Sequence, residues 1–346
     1  MSENVKMAVI GCGHWGPNHI RSFSAVKGCS VQWACDIKKS QIEYVHELFP
    51  TMRTTTDYND ILDDPDVRAV VVSTPTSSHY ELAKACLERG KDVLCEKPLA
   101  KTFDEARNLV RIAKHQSRTL MVGHIFLFNS GIRKLKEQLA SREMGRLYYL
   151  QATRTNLGPI RQDVNAVLDL ASHDVSIFNY LLDSEPVEVS AIGKSFIATG
   201  IEDVAFITLI YPENILANIH VSWLAPRKVR QITIVGSRKM ITWDDLVSIE
   251  PPIRIYNQGV AISAAEPVYR DFGEFQLILR EEEITLPQVK FSEPLQEQSR
   301  HFCECLRNGR NPESDGLFGA NVVRVLDAIN LSVKSNGKPV AIAHPE

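Results

Sequence analysis

The sequence carries no surplus of either charge: 39 lysines and arginines stand against 42 aspartates and glutamates, a formal net charge of −3. That balance removes the basic footprint on which nucleic-acid binding depends. No apolar run approaches the ~20 residues needed to cross a bilayer. The opening Met-Ser-Glu-Asn-Val-Lys leads straight into a strand-like segment and shows no signal peptide. The seven cysteines (Cys12, Cys29, Cys35, Cys86, Cys95, Cys303 and Cys305) are odd in number and form no CxxC pair. Cys303 and Cys305, two apart, are poorly spaced as zinc ligands. Reduced core thiols in a cytoplasmic protein are therefore expected, with no metal site and no thiol nucleophile. Fixed-period repeats, low-complexity segments and long linkers are also missing.

What remains is a 346-residue chain, 44% hydrophobic and 23% charged, as expected of a soluble globular protein with two domains. Short apolar runs alternate with helical patterns from the start. Strands are expected at Lys6–Ile10, Ser30–Cys35, Val67–Ser73, Asp92–Cys95 and Thr119–Val122, with helices from Gly16, over Ser40–Phe49, Glu81–Arg89 and Asp104–His115. Repeated β-α-β order predicts a doubly wound parallel sheet, an α/β Rossmann domain over residues 1–122. After Gly123 the rhythm changes. Helices are expected near Gly131–Arg142 and Asn165–Leu182, with a strand at Leu147–Arg154 between them. Consecutive strand-like segments follow at Val187–Lys194, Asp203–Tyr211, Ile215–Trp223, Val229–Val235 and Lys239–Asp244. That run predicts an α+β second domain over 123–346, with a largely antiparallel sheet that completes the active site. The closing helices, about Glu297–Asn308 and Gly319–Ser335, are placed to pack back on the first domain.

The first strand runs into Gly11-Cys12-Gly13-His14-Trp15-Gly16, a GxGxxG turn between a strand and a helix. Gly11 makes the tight turn, Gly13 admits a pyrophosphate, and Gly16 permits close helix packing. The helix N-terminus supplies amide donors and positive dipole. Asp36 lies 20 residues after Gly16 at the end of the second strand. A carboxylate there accepts from the adenosine ribose hydroxyls and repels a 2′-phosphate, so NAD is the expected cofactor.

Glu96-Lys97-Pro98 follows the fourth strand, at the carboxyl edge where ligands bind to such sheets. Thr74, Pro75 and His79 occupy the end of the third strand, suited to the nicotinamide half of a dinucleotide. His79 equally fits a helix cap. Asp169 and His173 are spaced i, i+4 and share a helix face. The pair fits a carboxylate beside a general base, and equally a surface pair. The preceding loop holds Arg161 and Asn165. A guanidinium there can grip an acidic substrate group through two parallel bonds, or can be a plain surface arginine.

These motifs together resemble the Gfo/Idh/MocA oxidoreductases over essentially the whole chain: GCGHWG, Asp36, STPTSSH, EKP, GHIFLFN, DLASHD and the closing HFCECLRNGRNPESDGLFGANVVRVLDAI. The resemblance implies that Lys97, Asp169 and His173 line the site where nicotinamide meets a sugar or cyclitol hydroxyl. Arg161 and Asn165 then count with them as substrate-binding candidates. Gly11, Gly13, His14, Trp15, Gly16, Asp36, Thr74, Pro75, His79, Glu96 and Lys97 line the cofactor. It also implies that the exposed face of the second domain's sheet forms a subunit interface, making a homodimer or homotetramer. NLGPIRQDVNAVLDLASHD, VSWLAPRKVRQITIVGSRKMITWDD and RIYNQGV look most like UDP-N-acetylglucosaminuronate 3-dehydrogenases of bacterial surface-polysaccharide synthesis. A nucleotide-sugar 3-ketoreductase, a free sugar or inositol dehydrogenase, and a non-catalytic NAD-binding sensor are the alternatives; intact Lys97, Asp169 and His173 speak against the sensor.

Overall fold

The computed structural model describes residues 4–247, 251–257 and 283–343. Residues 258–260, the end of the RIYNQGV stretch, lie outside the described residues. The chain divides into two compact units, each built from three chain segments.

The first unit comprises Met1–Asn129, Arg161–Ile177 and Ser292–Asp327. Its strands are β1 (Val5–Ile10), β2 (Cys29–Cys35), β3 (Arg53–Thr55), β4 (Ala69–Val72), β5 (Asp92–Cys95) and β6 (Leu120–Val122). They pair in parallel in the order β3-β2-β1-β4-β5-β6. All four residues of β4 and of β5 are buried, as both-face coverage by crossover helices demands. Those helices are α1 (Gly16–Ser24), α2 (Lys39–Leu48), α3 (Asn59–Asp63), α4 (Thr76–Glu88) and α5 (Phe103–His115). The start of α5 is fixed locally: Thr102 Oγ1 accepts from the Glu105 amide, and Asp104 and Glu105 face the helix dipole. Neighbours β2 and β4 flank β1 on opposite sides, so the order reverses there and opens a crevice at the strand ends.

The second unit comprises Ser130–Ile160, Phe178–Phe291 and Ala328–Glu346. It contains α6 (Ser130–Ala140) and strands β7 (Leu147–Leu157), β8 (Glu188–Lys194), β9 (Val204–Tyr211), β10 (Ile215–Ser222), β11 (Leu224–Gly236), β12 (Met240–Asp244), β13 (Ile253–Tyr256), β14 (Ile284–Thr285) and β15 (Val340–Ala341). Among the described residues these nine form one sheet, β14-β13-β12-β11-β7-β10-β9-β8-β15. Only the central β7–β10 pair is parallel, so the sheet is mixed and mostly antiparallel. The β9 strand shows the alternation that a one-sided core imposes: Ala205, Ile207, Leu209 and Tyr211 are buried. Phe206 on the opposite face stays 54% exposed.

Helix α7 (Ser172–Leu182) is preceded by a π-helical turn at Val167–Ala171. Two further helices, α8 (Pro294–Asn308) and α9 (Gly316–Lys334), follow the sheet. Gly316 and Gly319 lie against β6: a Cβ on either would meet Leu120 at 2.7 Å or Val122 at 2.3 Å. Ser314 is bound to Val122 in both directions, backbone and hydroxyl. α9 has the length and mean hydropathy (1.2) of a membrane span, but 61% of that window is buried, as in a core helix.

The change of pattern expected at residues 122–123 falls near the end of the first unit's opening segment, at Asn129. Residues 161–177 and 292–327 cluster with the parallel sheet, the second segment carrying α8 and most of α9, the helices expected to pack back there. The thiols are consistent with a structural role: burial pushes Cys12, Cys35 and Cys86 up to about 12.

Candidate active site

The glycine turn is built as a phosphate cradle. Gly11 has φ +97°, and a Cβ there would lie 2.7 Å from the Ser73 backbone. A Cβ on Gly16 would meet the Gly11 carbonyl oxygen at 2.2 Å. Folding alone thus requires glycine at both positions. At Gly13 a Cβ would meet nothing within 4 Å. The open space beside that backbone, at the start of α1, adjoins amide donors and a positive helix dipole, the surroundings that suit a phosphate. His14 and Trp15 are exposed on this turn and contact each other edge-to-face at 5.3 Å.

Asp36 does more than its place at the end of β2 suggests. Its carboxylate accepts from the Cys12 amide (2.8 Å) and the Lys38 amide (2.9 Å), tying the glycine turn to the strand end. Both oxygens retain lone pairs for ribose hydroxyls, since each carboxylate oxygen accepts twice. The unmodified protein is expected to bind NAD more tightly than NADP, and Asp36→Ala to weaken NAD and narrow that gap. Titration of the two cofactors measures this; equal or tighter NADP binding would refute it.

At the end of β4, Ser78 Oγ donates to Thr74 Oγ1 (2.8 Å) and Pro75 is exposed at the head of α4. His79 neither caps α4 nor reaches out of the crevice. Its Nδ1 lies 2.8 Å from the Pro98 carbonyl and its Nε2 2.9 Å from the Thr74 carbonyl. Burial pulls its pKa below the ordinary histidine range, with the two carbonyls pushing back. His79 is a staple between two strand-end turns.

The centre of the site is Lys97. Its Nζ donates to the Asp169 carbonyl (2.7 Å) and lies 3.4 Å from Asp169 Oδ1. Both side chains are largely buried, at 12% and 19% exposure. Burial pulls the ammonium below the ordinary lysine range, while the Asp169 and Glu96 charges oppose that shift. Glu96 sits on the other side. Burial pushes its carboxyl up, but His19, Lys97 and the Lys97 amide outweigh burial and hold it below the usual carboxylate range.

The π-helical turn presents the Asp169 carbonyl to Lys97; such turns recur at functional sites. Asp169 and His173 were expected to share a face of an ordinary helix. Here Asp169 is inside the π turn and His173 is the second residue of α7. His173 is half-buried, with Phe126 edge-on at 5.0 Å. Asn165 serves as a cap: its Oδ1 accepts from the Leu168 amide at 3.0 Å. Arg161 is held by two carboxylates. It grips Asp163 at two points (3.0 and 2.6 Å) and donates to Asp169 Oδ1 at 3.0 Å. Two of its five N–H donors remain for other partners.

Three members of the arrangement escaped the sequence reading. Asp163 neutralises Arg161. His19 binds Glu96 Oε1 at 2.9 Å. His124, within GHIFLFN, is buried against Phe318, and burial aided by Lys97 drives its pKa down to about 3. The one available signal was the Trp15-His19-Phe23 spacing, an i, i+4 aromatic stripe on α1. All these residues lie within the first unit.

Residues 5–124 match the oxidoreductase family with an NAD-binding Rossmann fold designated GFO/IDH/MocA, and residues 132–242 match the GFO/IDH/MocA C-terminal domain. Among curated proteins, the uncharacterized oxidoreductase YrbE of Bacillus subtilis is 26% identical, covering 100% of this chain and 99% of its own. The NAD-dependent scyllo-inositol 2-dehydrogenase of the same organism is 26% identical over 99% of this chain and 97% of its own. Among solved structures, the WlbA dehydrogenase of Bordetella pertussis, in complex with NADH and UDP-GlcNAcA, superposes with TM-score 0.82 at 19% identity. That match covers 100% of this chain and 99% of WlbA, and it speaks for the shared fold. With the glycine cradle, the strand-end lysine and both domain matches in place, the chain belongs to the GFO/IDH/MocA family and is an NAD-dependent dehydrogenase.

Proposed function

We propose that the enzyme oxidises a ring hydroxyl of a sugar-type substrate, with the 3-hydroxyl of a nucleotide sugar such as UDP-N-acetylglucosaminuronate as the leading candidate. The pathway proposed is cytoplasmic synthesis of bacterial surface polysaccharide. The observation that carries the chemistry is Lys97. An ammonium has three donors, two are directed at Asp169, and the third is left for a substrate oxygen. Bound NAD+ supplies the hydride acceptor. As the carbinol C–H bond breaks, the O–H proton passes to His173, and the oxygen's growing negative charge is met by Lys97. Asp169 anchors Lys97 and Arg161 rather than the sugar. Arg161, with two donors remaining, is the proposed contact for a substrate carboxylate.

Assaying NADH formation against UDP-N-acetylglucosaminuronate, UDP-N-acetylglucosamine, myo-inositol and scyllo-inositol tests the substrate. The highest kcat/KM on a nucleotide-linked sugar is expected. The second reading, a free cyclitol, is favoured by the full-length similarity to a scyllo-inositol dehydrogenase. Inositol turnover with silent nucleotide sugars would establish it.

The exposed sheet face supports a homodimer or homotetramer. Ile192 (56% exposed), Phe206 and Leu216 (43%) lie on it beside the stacked Phe206–His220 pair. Light scattering at micromolar concentration is expected to give a multiple of the chain mass, and Phe206→Glu to lower it. A monomer in the unmodified protein would refute this.

A further inference from the structure

His19 is fully buried on α1, three residues after Gly16. Its ring is stacked on Phe23 (centroids 6.2 Å) with Trp15 at 6.4 Å on the same helix. Nε2 lies 2.9 Å from Glu96 Oε1, and a carboxylate acceptor requires Nε2 to carry a hydrogen. The other carboxylate oxygen accepts from the Lys97 amide at 3.2 Å. A Cβ on Gly123 would lie 3.1 Å from this carboxylate, so the group rests flat on the Gly123 backbone.

Glu96 is therefore fixed on three sides, and none of its fixed contacts is the ammonium next to it in sequence. Lys97 instead extends to Asp169. Two opposite charges on adjacent side chains in a buried site attract strongly. Something must keep them apart if the ammonium is to point at a substrate. Among the described residues, the side-chain donor hydrogen-bonded to Glu96 is His19; the other donor is the Lys97 amide.

We propose that His19 is a positioning residue: by holding the Glu96 carboxylate it commits the Lys97 ammonium to Asp169 and the substrate oxygen. The inference rests on the role given to Lys97 above. The charged and titratable groups facing Lys97 are Asp169, Glu96, Arg161, His124 and His79.

His19→Phe keeps the aromatic packing and removes the donor, while His19→Gln keeps a donor near the place of Nε2. The first readout needs no cofactor: the pH dependence of Lys97 acetylation by trace acetic anhydride, followed by peptide mass spectrometry. His19→Phe is expected to move the labelling midpoint upward, because a released Glu96 pairs with the ammonium. His19→Gln should restore the native midpoint, and adding Glu96→Gln to His19→Phe should cancel the rise. The second readout is turnover. It should fall about ten- to a hundred-fold in His19→Phe with NAD affinity preserved, and recover in His19→Gln. Should His19→Phe fail to fold, His19→Asn, whose amide falls short of Glu96, takes its place. A native midpoint with native turnover in the donor-less variant overturns the proposal. So does a parallel loss of turnover and NAD affinity that His19→Gln does not repair. Normal turnover in Lys97→Ala would instead remove the lysine's role, leaving the labelling result to report on His19 alone.

Discussion

His173→Ala is expected to lower turnover by ~10²–10⁴-fold, the usual contribution of a positioned general acid or base. NAD affinity should change little, because the glycine cradle and Asp36 lie on other elements of the unit. The fold should survive as well: the imidazole is half-buried beside Phe126, so truncation leaves a solvent-reachable gap rather than a closed cavity. Loss in kcat and kcat/KM together marks an interaction made in the transition state rather than in uniform binding. The decisive measurement is single-turnover reduction of bound NAD by the correct sugar. Near-native hydride transfer in His173→Ala across the pH range would move proton acceptance to Lys97, whose ammonium burial already makes easier to deprotonate.

The second large effect separates two glycines that look equivalent in the motif. Gly13→Ala is expected to unfold within ~0.5 kcal/mol of the native protein, as an exposed substitution with room for its methyl group does. NAD binding should nevertheless collapse, because that methyl group occupies the space the pyrophosphate needs. Gly11→Ala should lose both. The residue is held at positive φ, which costs about 1–3 kcal/mol for other residues, and its methyl group would press on the Ser73 backbone. Thermal unfolding without cofactor, paired with NAD titration, reads the two apart. A Gly13→Ala protein with native NAD affinity would show that the pyrophosphate sits elsewhere.

Much of this molecule was legible in the sequence, for reasons that can be traced to particular residues. The parallel sheet announced itself through runs such as Ala69-Val-Val-Val72, apolar on both faces, and the glycine turn through its strand-helix context. The antiparallel strands after Val187 showed as strand-like segments following one another with no helical pattern between them. Three-residue β3 was missed because Arg53-Thr-Thr55 pairs with β2 alone and carries no apolar run. The π turn at Val167–Ala171 has no sequence signature that distinguishes it from an ordinary helix start. Asn165, expected near substrate, also stands three residues ahead of Leu168 in a cap pattern, and its Oδ1 makes that bond. The grouping of residues 161–177 with the parallel-sheet unit is hard to see in the sequence for a different reason. Linear boundaries follow changes of pattern, whereas this segment's partners are Lys97 and the parallel-sheet unit, far away in sequence. Polar pairs such as His19–Glu96, 77 positions apart, have no local trace at all.

The three-segment make-up of the first unit has a consequence for how the chain is born. At about 5–20 residues per second of synthesis, residues 130–327 take roughly 10–40 s to follow Asn129 out of the ribosome. Throughout that interval the nascent parallel sheet lacks α8 and the first part of α9. The side chains they later cover, Phe23 against Phe302 and Val122 against Gly319, stay open to solvent or to a chaperone. The dinucleotide cradle is made early, but the lysine site must wait for residue 169, and the unit's own core for residue 327.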